Sequence, residues 1–254
     1  MKGWSLFFDL HGVLIDIADL NFYYTSYLQK ILKKAGLSSE KVKDLHDFAF
    51  KNWVREFRRI NSADSQVHDS DQFMAEMAKI DKDWSAVFLK QVPHSMQRSI
   101  AKELAAPVAE YRAMAEGNRK GIFPDVMEAL NCLKKDGFSM FIASSASESH
   151  IRGTLELNEI GHFFNRVFGY DVVRAPKKAN HGFFFKEMLR ITRSQGGHSI
   201  FIGDSIKEAS LSMEHDMHYV MVDRKGKHNN IICNYEIIPS LKELPIIIAQ
   251  ITSE

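Results

Sequence analysis

The sequence predicts an α/β protein: a doubly wound parallel sheet with a helical module inserted after its first strand. Three observations lead there. Short, wholly apolar runs recur over 1–16 and 120–254, and each stops at a polar or acidic residue. Stretches with helical spacing separate them, the alternation expected of a parallel sheet. From Ile17 to Arg119 no convincing alternating strand occurs, while helix formers run in long amphipathic patterns.

The first strand is expected over Ser5–Leu10, an apolar run of the kind that is buried on both faces, and Gly12 follows it as a turn residue. In the inserted stretch, Phe22, Tyr23, Tyr27, Leu28, Ile31 and Leu32 repeat at helical spacing, and Lys43–Ile60 and Asp71–Ile80 behave alike. Gln97–Met114 is also helical in pattern, with a kink or break expected at Pro107, and Asn61–Ser70 is polar enough for a loop. Beyond the insert, Val126, Met127, Leu130 and Leu133 mark a helix behind Pro124 that stops at Asp136-Gly137. Strands are expected at Ser139–Ala143, Ser199–Gly203 and His218–Val222, with a weaker one at Arg166–Tyr170. Phe183–Thr192 and Ile206–His215 read as helices, and Pro245–Ala249 as a short terminal helix that packs on the core.

Composition narrows the function classes. The 254 residues suffice for one large domain or for a core with an insert. Lys and Arg number 33 against 32 Asp and Glu, a balance without the footprint of a nucleic-acid or acidic-membrane binder. No run approaches the roughly 18 apolar residues of a membrane span. Met1–Trp4 leads straight into the first strand, so no signal peptide is expected. Cys132 and Cys233 form no CxxC pair, in keeping with a reduced, cytoplasmic chain.

Four segments carry chemistry. Asp9 ends the first strand, where open α/β sheets build ligand sites. Ser144 and Ser145 end the second; such hydroxyls either cap the next helix or hold a phosphoryl oxygen without adding charge. Lys177-Lys178 supplies an ammonium that can offset repulsion between a carboxylate nucleophile and an anionic substrate. Gly203-Asp204-Ser205 follows a buried strand, with Glu208 one helical turn on, and two acids so spaced call for a cation such as Mg²⁺.

In this order, each at or after a strand end, the four resemble the motifs of the haloacid dehalogenase-like hydrolase superfamily, over about 1–16 and 120–254. The resemblance implies a Rossmann-like core interrupted at 17–119 by a helical cap, and a Mg²⁺-dependent phosphatase acting through an aspartyl-phosphate. It further implies Asp9 as nucleophile, Ser144 (with Ser145 competing) and Lys177 (or Lys178 beside it) around the phosphoryl group, and metal ligation by Asp9, the carbonyl of His11, Asp204 and, directly or through water, Glu208.

The chain departs from that pattern at His11, which stands where the family has an acid/base aspartate. Histidine can itself move protons. The substrate can instead have a good leaving group, the chain can be a weak or non-catalytic phosphate-ligand binder, or the imidazole can simply tie the turn. Hydrolytic dehalogenation is the other enzymatic reading, against which the metal segment argues. Specificity is expected from the insert. Phe22, Tyr23, Tyr24 and Tyr27 crowd its first helix and Arg55, Arg58 and Arg59 its second, and a cap of that size favours a small phosphorylated molecule.

Overall fold

The computed structural model describes residues 3–16, 20–62, 69–117, 121–228 and 232–253. The expected insert boundaries at Ile17 and residues 118–120, and most of the expected 61–70 loop, lie outside them. Six strands form one sheet: β1 (Ser5–Phe8), β2 (Ser139–Ala143), β3 (Arg166–Phe168), β4 (Ser199–Gly203), β5 (His218–Val222) and β6 (Glu236–Ile238). Their order is β3-β2-β1-β4-β5-β6 and every pairing is parallel. The order reverses between β1 and β4, and such a switch point leaves a crevice at the carboxyl ends of the two strands.

Strands read as unbroken apolar runs because the sheet is covered on both faces. On one face Leu6, Phe8, Ile142 and Ile202 pack with α6 (Val126–Lys135), α7 (Glu148–Leu157) and α11 (Leu244–Ser253). On the other, Phe7, Phe141 and Phe201 pack with α9 (Phe183–Thr192) and α10 (Ile206–Met213). The expected strand Arg166–Tyr170 stops at Phe168, and Tyr170 instead opens the one-turn α8 (Tyr170–Val173). There the amide of Tyr170 donates to the Ala146 carbonyl at 3.1 Å, outside the ladder.

Between β1 and α6 lie α1 (Leu20–Leu32), α2 (Ser39–Ile60), α3 (Ser70–Leu89), α4 (His94–Glu103) and α5 (Ala106–Ala115). Ser38 and Asp69 cap α2 and α3 by accepting the amides of Lys41 and Gln72. The pattern over Gln97–Met114 resolves into two helices because Pro107 sits in the first turn of α5, where its missing N–H costs nothing. The third helix runs on past the expected Ile80 to Leu89. These helices have an apolar cluster of their own, with Tyr27, Leu28, Leu32, Val42, Phe88 and Ala109 at its centre.

The five helices meet the sheet layer where α5 lies on α7. Their backbones approach closely at Gly153, where a Cβ would collide with the Tyr111 carbonyl. Side chains seal the same seam: Ser147 donates to Glu110, and Tyr111 to Glu156. Gly153→Ala is expected to cost about 1–3 kcal/mol by overpacking, read as a fall in melting temperature. Gly161→Ala, whose added methyl meets only the Leu155 side chain at 3.8 Å, is the control. Equal melting temperatures for the two variants would contradict the packing account.

Candidate active site

The crevice at the switch point holds four of the residues singled out in the sequence. The amide of Asp9 donates to the Ile202 carbonyl at 2.8 Å, which extends the β1–β4 ladder and sets Asp9 beside the Gly203-Asp204 turn. Gly12 has φ +81°, a left-handed conformation, and a Cβ there would run into the Asp204 carboxylate. Any other residue would strain this backbone and displace the Asp204 carboxylate from its place in the cluster. Oxygens of Asp9, Asp204 and Glu208 all lie within 4.8 Å of one another. Past the turn, Tyr219 ties down Ser205, donating to its carbonyl at 3.0 Å and accepting its amide at 3.2 Å.

Lys177 fills the space among these acids. Its side chain is only 1% exposed, with Nζ 2.7 Å from Asp9 Oδ1 and 3.0 Å from Glu208 Oε1. It also donates to the Ala143 carbonyl at 3.2 Å. Burial works to lower its pKa, but the carboxylates of Asp9 and Glu208 outweigh that and hold the ammonium above the ordinary lysine range. Lys178 takes the outer position, more exposed, and reaches Glu208 Oε1 at 3.1 Å. The structure thus sets Lys177, rather than Lys178, against Asp9.

The three carboxylates still carry a surplus of negative charge. Desolvation, then the charges of Asp9 and Glu208, push the Asp204 carboxyl up to about 6. Glu208 is fully buried, and its Oε2 has no hydrogen-bond partner. A converging set of hard oxygen donors, one with a free lone pair, fits a divalent cation such as Mg²⁺.

The serines divide. Ser144 is buried at the end of β2, and its Oγ accepts the Ala146 amide at 3.3 Å, a local turn contact. Ser145 Oγ is buried without a partner and faces a different space. Among the described residues no hydrogen bond or ion pair joins either serine to Asp9, Lys177, Asp204 or Glu208.

His11 points its Nε2 at Nε2 of His150 on α7, 3.1 Å away, and Tyr24 on α1 lies 3.1 Å from the other nitrogen of His150. Burial, then the charge of Lys177, lowers the His11 imidazole to about 4, and burial carries His150 well below the usual range. Both rings are neutral at pH 7. With the Tyr24 phenol held well above its ordinary pKa by burial, a consistent proton order runs from its O–H to His150 Nδ1 and from His150 Nε2–H to His11 Nε2. That order leaves the His11 proton on Nδ1.

Beyond His11, between the inserted helices and the sheet layer, is a cavity of about 250 Å³. Tyr24, Phe50, Trp53, Trp84 and Tyr170 line it, as do the acids Asp81 and Glu110. Of the aromatic residues crowding α1, Tyr24 reaches this space, whereas Tyr23 and Tyr27 are buried in packing. The arginine cluster does not reach it: Arg55 pairs with Glu56, and Arg59 with Glu56 and Glu76, on the outer side of α2 and α3. Sequence reasoning missed Asp81, Glu110, His46 and the role of His150, which converge from α2, α3, α5 and α7. The cap signal at Ser147, whose Oγ accepts the His150 amide at 3.1 Å, was the available clue to α7.

Comparison with known proteins follows the same lines. The sequence model of the haloacid dehalogenase-like hydrolase family matches residues 6–222. A phosphoglycolate phosphatase from Pseudomonas fluorescens (strain Pf0-1) is 25% identical over 114 residues, 45% of this chain and 41% of that protein. The match therefore spans less than half of that relative's length. A 2-haloacid dehalogenase from Pseudomonas syringae pv. Tomato DC3000 superposes with a TM-score of 0.65 at 15% identity, covering 98% of this chain and 99% of the other. The magnesium-bound HAD-hydrolase YfnB from Bacillus subtilis gives 0.59 at 15% identity, with 98% and 100% covered. At such identities these two structures establish a shared fold.

Lys177→Met is expected to destabilise the protein by about 3–5 kcal/mol, because it strands the buried carboxylates of Asp9 and Glu208 together. Urea denaturation at pH 7 measures this, and a loss under about 1 kcal/mol would show that the ammonium does not hold the site together.

Proposed function

This chain belongs to the haloacid dehalogenase-like hydrolase family, and we propose that it is a Mg²⁺-dependent phosphomonoester hydrolase acting through an aspartyl-phosphate. The carrying observation is the set of Asp9, Asp204 and Glu208, with oxygens within 4.8 Å, around a buried Lys177 that touches Asp9 at 2.7 Å. The phosphoglycolate phosphatase relative supports the same chemistry.

In this reading an Asp9 carboxylate oxygen attacks phosphorus while the bond from phosphorus to the ester oxygen breaks, its electron pair leaving with the alcohol. One water then cleaves the aspartyl-phosphate. Its oxygen passes to phosphate and one of its protons balances the alkoxide, so no net proton is consumed. Lys177 holds a phosphoryl oxygen and lowers the repulsion between carboxylate and phosphate. The hydroxyl of Ser144, or of Ser145 beside it, is the remaining donor. Asp9, Asp204 and Glu208, with the carbonyl of His11, would hold Mg²⁺, which when bound neutralises charge on the phosphoryl group. His11 is read as a neutral hydrogen-bond donor toward the leaving oxygen, its tautomer set through His150 and Tyr24. The helices α1–α5 act as the cap that closes over this chemistry.

Dehalogenation is the less favoured reading. Halide departure needs neither a cation nor a cluster of three carboxylates, and among the described residues no arginine or lysine lines the cavity to receive a haloacid's carboxylate.

Hydrolysis of an aryl phosphate with Mg²⁺ is the test. Asp9→Asn is expected to abolish turnover, and EDTA to stop it reversibly. His11→Ala is expected to cost about 10²-fold or less, since an aryl leaving group needs little help. Turnover that survives Asp9→Asn or chelation would overturn the mechanism. Chloride release from short chloroacids, without phosphate release from any ester, would favour dehalogenation.

A further inference from the structure

The cavity beside His11 has a lining unlike that of a site for an anion. Its walls are aromatic faces: Trp53 and Trp84 from α2 and α3, Tyr24 from α1, Phe50 from α2, and Tyr170 from α8. Two acids stand among them, and among the described residues no lysine or arginine lines the space. Asp81 accepts the Trp53 indole N–H at 2.9 Å and Glu110 accepts the Ser147 hydroxyl, so each acid is fixed in place by a neutral donor, and among the described residues neither pairs with a cation. Desolvation, then the charge of Asp81, pushes the Glu110 carboxyl up to about 8. At pH 7 Glu110 therefore rests mostly protonated, and a cation seated beside it would draw it into the ionised form.

A second observation points to a ligand. His46 is completely buried in the cavity wall, stacked on Tyr24, and neither of its ring nitrogens has a hydrogen-bond partner. Ser145 Oγ is likewise unpartnered and lines the same space. Buried polar atoms are ordinarily satisfied. A neutral imidazole offers one lone pair and one N–H, and a hydroxyl both accepts and donates, so these unpartnered atoms call for a polar ligand. The polar ligand that suits aromatic faces and acids together is a cation.

Position links this cavity to the phosphoryl site. His11 follows Asp9 by two residues and Ser145 follows Ser144, and both line the cavity wall. A group seated in the cavity is therefore continuous with an ester oxygen held near His11.

We propose that this cavity is the leaving-group subsite and that it selects phosphate monoesters of small alcohols bearing an ammonium group. The phosphoryl half of this inference rests on the phosphatase reading above; the ammonium half rests on the cavity alone. A carboxylate-bearing ester such as phosphoglycolate would place its second negative charge against Asp81 and Glu110. This chain therefore parts company in substrate charge from the phosphoglycolate phosphatase it partly matches.

Two measurements test this separately. Trp53 and Trp84 line the cavity while Trp4 packs against His198 and His218 elsewhere, so indole fluorescence reports occupancy. Choline and ethanolamine are titrated against 3,3-dimethylbutan-1-ol, the neutral carbon isostere of choline, and against glycolate. Saturable quenching is expected with an ammonium alcohol, at least about tenfold tighter than with the neutral or anionic probe. Asp81→Asn and Glu110→Gln, each checked for folding by circular dichroism, are expected to shrink that ratio. In the second arm, kcat/KM for phosphocholine and phosphoethanolamine is compared with that for 3,3-dimethylbutyl phosphate and phosphoglycolate, with the same preference expected. Equal or weaker binding of the ammonium probes overturns the cavity proposal even if every ester is hydrolysed. Ammonium-selective binding without phosphate release from any ester upholds the cavity and overturns the phosphatase reading.

Discussion

A single buried ammonium organises this site. Lys177 Nζ lies 2.7 Å from Asp9 and 3.0 Å from Glu208, in a position almost closed to water. Burying two carboxylates this close together costs desolvation and mutual repulsion, and the ammonium between them offsets both. The lysine comes from the loop after α8, Asp9 from β1 and Glu208 from α10, so the pairing joins three separated parts of the chain. It sets an ammonium directly against Asp9, while Asp204 stands at the edge of the cluster with a raised pKa. A divalent cation would complete that arrangement.

The sheet makes the meeting possible. Its strand order reverses between β1 and β4, so the turns after these strands diverge and leave room between them. Gly12 bends the first turn in a left-handed conformation and presents no side chain to Asp204. Tyr219 clamps the second turn from β5 through both polar groups of Ser205. The geometry of the acids is thus built from backbone constraints, and their charge is offset by Lys177.

What was legible in the sequence is what lies at strand ends. Asp9, Lys177, Asp204 and Glu208 could be singled out because each follows or adjoins an apolar run or sits at a readable helical offset from one. The sheet strands themselves were legible for the same reason, since burial on both faces leaves an unbroken apolar signature. β6 was not, being only three residues long, nor was α7, whose apolar positions are sparse and interrupted by Gly153. The cavity lining was hidden for a different reason. Asp81, Glu110, His46 and His150 lie on four helices and share no local pattern; only packing brings them together. The arginines at 55, 58 and 59 had a readable pattern, but helical phase turns Arg55 and Arg59 outward to pair with glutamates.

The molecule therefore presents two unlike environments side by side: acids held by a lysine at the end of the sheet, and acids among aromatic rings under the helices. His11 stands between them, bonded to His150 and no longer an acid like its family counterpart. Above all, the proposed chemistry needs Asp9 as the nucleophile toward phosphorus. Reduction with borohydride during turnover of a phosphate ester with Mg²⁺, followed by mass spectrometry of the peptide that contains Asp9, tests this directly. The predicted result is conversion of Asp9 to homoserine, the mark of an acyl-phosphate on that carboxylate. Continued phosphate release with Asp9 unmodified, or the mark on another residue, would contradict it.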